Sequence, residues 1–170
     1  MVKYVGFLLM FIGSSGLGMA FAEDYKQRIL VLEKIRKMLT FICDRIRTEK
    51  DTLPEAFFHT GGRFDGKWKQ FLRELYEESE KQTGVPLEEI WQEKSQILRQ
   101  YMADEDFLQF KGAMKQTGFG TVEGQFEALT DYKQKVEKNL KELMEQKKEK
   151  CKLYQTLGVM CGILMIVILW

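Results

Sequence analysis

No charged side chain occurs between residues 4 and 22, and none between residue 153 and the final Trp170. An uncharged helix of about 18 residues or more spans roughly 30 Å of hydrocarbon at about 1.5 Å per residue. The two ends therefore read as an N-terminal transmembrane span (1–22) and a C-terminal one (153–170), with a domain of residues 23–152 between them. Of all the charged side chains, only Lys3 lies outside that middle segment.

Lys3, an apolar stretch and Ala20-Phe21-Ala22 also have the outline of a cleaved signal peptide. A basic region of one lysine and a long apolar stretch favour an uncleaved anchor instead. Lys26, Arg28, Lys34, Arg36 and Lys37 follow the first run, while Lys138, Lys141, Lys147, Lys148, Lys150 and Lys152 precede the second. Both asymmetries place the middle segment in the cytoplasm and both termini outside.

The middle segment is long enough for one domain with its own core. It holds 25 basic side chains and 25 acidic ones, so it is formally neutral. That balance removes the electrostatic reason to expect a nucleic-acid partner. Cys43, Cys151 and Cys161 are too few and too scattered for a disulfide framework or a zinc site. They read as free thiols in a reducing compartment.

Helical periodicity runs through the whole segment. Ile29, Leu32, Ile35, Leu39, Ile42 and Ile46 recur at steps of three and four, which predicts an amphipathic helix continuing from the first span. Thr52-Leu53-Pro54-Glu55 reads as a capping box with proline in the first turn. His59-Thr60-Gly61-Gly62-Arg63 with Asp65-Gly66 reads as a loop, and Trp68, Phe71, Leu72, Leu75 and Tyr76 as the buried face of the next helix. Gly84-Val85-Pro86 breaks the chain again before a helix lined by Leu87, Ile90, Trp91, Ile97, Leu98 and Tyr101. Asp104 is expected to cap a shorter helix carrying Phe107, Leu108, Lys111 and Met114, ended by Gly118-Phe119-Gly120. Thr121 then opens a last helix with a coiled-coil-like seam of Phe126, Leu129, Lys133, Val136, Leu140 and Leu143. No alternating stretch argues for strands. The expected fold is all-α: a cytoplasmic bundle of about six helices whose first and last continue into the spans.

Catalytic chemistry has little to work with. His59 is the only histidine, so neither a histidine metal cluster nor a two-histidine relay can form. Gly61-Gly62-Arg63-Phe64-Asp65-Gly66-Lys67 lacks the Ser or Thr after lysine, and the preceding strand, of a phosphate-binding loop. Glu77-Glu78, Glu88-Glu89 and Asp104-Glu105-Asp106 sit on polar faces or in first turns, where they complement the helix dipole. The chain is expected to be no enzyme, with no catalytic residue, cofactor, metal or small-molecule substrate. In the spans, Ser14, Gly18 and Ala22, and likewise Gly158 and Gly162, are small residues four apart. They suit close helix–helix packing in the membrane, within one chain or in a homo-oligomer.

Four stretches resemble the stage III sporulation protein AB family of endospore-forming bacteria. They are Leu53, Pro54, Glu55 and Ala56 at one helix start; Pro86, Glu89 and Trp91 at a second; Gly118 and Gln125 around a third; and Gly158 and Gly162 in the closing span. The order of the motifs runs the full length of the chain. Thr117 and Thr121 depart from the family's usual leucine and aspartate, and Gly124 from its usual polar residue. The family is similar in turn to the helical domains of type II secretion and type IV pilus platform proteins. The resemblance implies a scaffold in the mother-cell membrane, part of the channel complex between mother cell and forespore. It would dock a cytoplasmic secretion-type ATPase beside other channel components. A membrane-anchored regulatory or signalling module unrelated to secretion is the alternative, and a secreted helical binding protein follows if the leader is cleaved.

Overall fold

The computed structural model describes residues 25–81, 84–115 and 122–169; of Val122 and of 150–169 it describes the backbone alone. Helix α1 covers 25–44 and ends in a π-turn, Arg45–Glu49. Helices α2 (Leu53–Gly61), α3 (Gly66–Glu80) and α4 (Leu87–Lys94) follow, and α4 tightens directly into a 3₁₀ segment, Ser95–Tyr101. Helices α5 (Asp104–Lys111) and α6 (Val122–Leu169) complete the chain. Among the described residues there are six α-helices and no strand, as the periodicity predicts. Among them, too, no helix is long and apolar enough to cross a membrane. The run at 4–22, with Ser14, Gly18 and Ala22, lies outside the described residues, and the run at 153–170 is described only as the backbone of α6 to Leu169.

The chain divides into two compact units, one of Val31–Lys138 and one that includes 25–30 and Asn139 onwards. In the second unit Ile29, Leu140 and Leu143 are buried. The first unit holds the core.

In that unit α1 buries Leu32, Ile35, Leu39 and Ile42, as its three-and-four spacing requires, and also Met38 and Cys43. Cys43 Sγ lies 3.9 Å from Thr130 Oγ1, which brings α1 against α6. Burial pushes the Cys43 thiol up, as expected of an inert core cysteine. The helix stops where Lys50 adopts the left-handed conformation (φ 63°), and Arg45 ties the turn down by an ion pair of 2.7 Å to Asp51.

The capping box at Thr52 forms: Glu55 Oε2 accepts from the Thr52 backbone N–H and from its hydroxyl, both at 2.8 Å. Helix α2 then runs further than expected. His59, Thr60 and Gly61 belong to it, and the loop shrinks to 62–65. The reason is tertiary. A β-carbon on Gly61 would sit 3.4 Å from Leu72 Cβ, so this glycine lets α2 lie close against α3 and does not break the helix.

Two further differences have local causes. The helix from Leu87 loses its α-helical period at Ser95, whose buried hydroxyl donates to Gln92 O at 2.8 Å. Leu98 stays in the core, while Tyr101 turns outward and is 45 % exposed. Asp104 is the first residue of α5 and not its cap, which is Ala103. Asp104 instead pairs with Arg99, whose guanidinium also lies 5.0 Å from the Phe107 ring centroid. Of the residues assigned to α5, Phe107 is buried, Leu108 is exposed, and Met114 is buried beyond the helix end.

Candidate functional site

The centre of the first unit is aromatic. Trp91 is fully buried, with Phe110 at 5.1 Å, Phe71 at 5.2 Å and Phe57 at 6.3 Å between ring centroids. Its indole N–H donates to the Phe110 carbonyl at 2.8 Å. Five helices, α2 to α6, meet there, since Phe110 also reaches Tyr132 on α6 at 6.3 Å. Burial, and then the charge of nearly inaccessible Asp106, pushes the Tyr132 phenol far up. Trp91 and the equally buried Ala56 are thus core residues, not surface ones.

Beside this core lies a half-open groove of ≈ 240 Å³. Thr52, Leu53 and Pro54 enter it from the start of α2, Gly84, Val85, Leu87 and Ile90 from the start of α4, Gln125 from the start of α6, and Glu78 and Ser79 from the end of α3. Three stretches that are far apart in sequence therefore share one concavity. Its walls are mainly apolar, with Val85 45 % exposed, Ile90 and Leu53 nearly covered, and Pro54 and Leu87 in between. The volume falls below the roughly 300–1,000 Å³ of small-molecule sites and is on the scale of one or two side chains.

Backbone geometry explains the opening. Gly84 has φ +73°, a conformation that favours glycine, and it turns the chain so that Val85 stands free. Pro86 caps α4, its carbonyl accepting from the N–H groups of Glu89 at 2.9 Å and Ile90 at 3.2 Å. Glu89 itself points to solvent and does not line the groove. Gly118 lies outside the described residues, and Gly158 and Gly162 belong to the backbone of α6, four residues apart on one face.

Sequence reading missed Glu78 and Ser79. A signal was present: Trp68, Phe71, Leu72 and Leu75 form a stripe that reaches position 79, where a serine interrupts it. The Ser79 hydroxyl donates back to Leu75 O at 2.7 Å, which satisfies it locally at the edge of an apolar wall.

The electrostatics of the groove are acidic. Among the described residues Glu78 is the one charged residue lining it, and Glu55 sits within hydrogen-bond reach of the lining residue Thr52. The Thr52 N–H, and then its hydroxyl, hold the Glu55 carboxyl below the usual carboxylate range; the Lys81 ammonium does the same for Glu78. Linkage gives a sign. Stability from Glu55 is fully present above the unfolded value of about 4.3 and disappears as pH falls through its lower folded value. Glu55→Gln keeps a side chain able to reach back but removes the charge. Its unfolding midpoint should therefore fall less steeply than the parent's between pH 5 and pH 3 (about one unit either side of that value). Identical acid slopes in urea titrations would contradict this.

A second, larger hollow lies between the π-turn and α2, lined by Arg45, Glu49, His59 and Arg63 among others. Its charges are of both signs, and His59 Nε2 stands 4.0 Å from Asp51 Oδ2. Below it the Thr60 hydroxyl is buried without a hydrogen-bond partner. Thr60→Val should stabilise the protein by about 1 kcal/mol, because it removes an unsatisfied buried group. A lowered midpoint in urea denaturation would count against that. Among the described residues no group of three or more His, Cys, Asp or Glu is placed to hold a metal ion.

Fold and groove together define an all-α protein with a side-chain-sized apolar recess where its helix starts converge. The model of the stage III sporulation protein AB family matches residues 3–170, and the chain belongs to that family. Comparison with curated proteins and with solved structures found no match.

Proposed function

We propose that this sporulation protein is a non-enzymatic platform of the channel complex between mother cell and forespore. Its uncharged ends at 4–22 and 153–170 anchor it in the mother-cell membrane, and the helical middle docks a cytoplasmic secretion-type ATPase. Other channel components, or further copies of the chain, pack against the spans through Ser14, Gly18 and Ala22 and through Gly158 and Gly162.

One observation carries the docking role. The stretches at 52–57, 85–91 and 117–125 carry the family resemblance, and residues of all three line a single exposed groove. On the groove side these stretches open to solvent, with Val85 45 % exposed, whereas Trp91 and Ala56 lie in the core. Mechanically the bundle then couples events at the ATPase to the spans through α6, one continuous helix from Val122 to Leu169.

The test is a photo-crosslinking residue at Val85 in sporulating cells. Capture of the ATPase is the expected result. Capture from Leu108, exposed but outside the groove, with nothing from Val85 would place docking elsewhere. Normal forespore development in a deletion strain would sink the platform reading as a whole.

A further inference from the structure

We propose that the groove receives an apolar side chain from a partner segment that also carries lysine or arginine. This rests on the groove being the docking site proposed above, and it specifies the chemistry of what docks. The recess is mainly apolar, and its ≈ 240 Å³ holds a knob such as leucine or methionine. Among the described residues no basic side chain lines it, and the one charge in its wall is the carboxylate of Glu78. At the α2 edge Glu55 accepts hydrogen bonds from Thr52, a lining residue, so a second carboxylate stands at the rim. Both are held below the usual carboxylate range and stay ionised at neutral pH.

An acidic segment would repel these carboxylates, whereas a cation beside the inserted side chain complements them. Glu78 has a partner already, Lys81 at 2.7 Å, but that pair is on the surface with the lysine 58 % exposed. Such exposed pairs contribute little, so an incoming ammonium or guanidinium can replace Lys81 at small cost. Acidic peptides and a second copy of this chain are the competing occupants.

The experiment uses the full chain in detergent micelles with methyl-labelled valine, read by NMR at Val85. The probes are a seven-residue peptide of leucines flanked by lysines and its glutamate counterpart. The expected result is a saturable shift of the Val85 methyls with the lysine peptide and binding at least tenfold weaker with the glutamate peptide. Glu78→Lys should weaken the lysine peptide about tenfold. Equal affinity for both peptides, an unaffected Glu78→Lys variant, or no saturable shift would each overturn the proposal. So would a Val85 shift that follows protein concentration without peptide, since a second copy would then fill the groove. The two readings fail separately. ATPase capture at Val85 without lysine-peptide binding would leave docking standing and this chemistry wrong. Lysine-peptide binding without capture would support the chemistry and refute the ATPase as partner.

Discussion

Trp91→Ala should cost about 3–5 kcal/mol, within the range for deleting a large aromatic from a core. The ring is inaccessible to solvent and touches aromatic side chains from α2, α3 and α5. Its removal leaves a cavity that three rigid helices cannot close together. It also removes the indole hydrogen bond to the Phe110 carbonyl, which keeps its bond from the Ala113 N–H at 3.1 Å, so this part of the loss is that of one hydrogen bond, about 1 kcal/mol. Against a total stability of about 5–15 kcal/mol, the variant stands at the edge of unfolding. Trp91→Phe separates the two contributions, since it keeps most of the packing and loses the hydrogen bond. Urea denaturation followed by helical circular dichroism should rank parent, Trp91→Phe and Trp91→Ala in that order. A loss below about 1 kcal/mol for Trp91→Ala would contradict the central place given to this ring.

How much of this was legible from the sequence depended on whether a local signal existed. Helices α1 and α3 were, because one buried face repeats at helical spacing and a helix has no other way to hide it. The start of α2 was, because threonine, proline and glutamate at fixed offsets satisfy its free N–H groups without help from elsewhere. Gly61 was misread. A glycine pair resembles a loop, and only the position of Leu72 shows that one of the two serves close helix packing. The 3₁₀ segment after Lys94 was equally hidden, since a buried serine hydroxyl bonding back to Gln92 leaves no pattern in composition.

The candidate site divides along the same line. Leu53, Pro54, Pro86, Trp91 and Gln125 were all identifiable as motif positions, but their roles were not. Trp91 fills the core, Pro86 caps a helix, and Leu53, Pro54 and Gln125 open onto the groove. That sorting depends on how α2, α4 and α6 start side by side, a tertiary fact with no one-dimensional trace. Glu78 and Ser79 joined the site for the same reason, brought in by the far end of α3.

Val85→Arg should separate partner binding from folding more cleanly than any core change. The parent side chain is 45 % exposed and precedes α4, outside any helix; surface changes of this kind usually stay within about 0.5 kcal/mol. The arginine, however, should occupy the recess with its own stem and place a guanidinium beside Glu78, the carboxylate proposed to meet the partner. A blocked anchor pocket commonly loses about 2 kcal/mol or more of binding, roughly a 30-fold drop in affinity. The expected pattern is an unchanged urea midpoint, ATPase association down about 30-fold or more in crosslinking yield, and a collapse in heat-resistant spore counts. Glu78→Gln combined with Val85→Arg should be no worse than Val85→Arg alone, since both act on the same contact. Full spore counts with a stable Val85→Arg protein would mean that the groove is not the docking surface, whatever the family motifs do elsewhere.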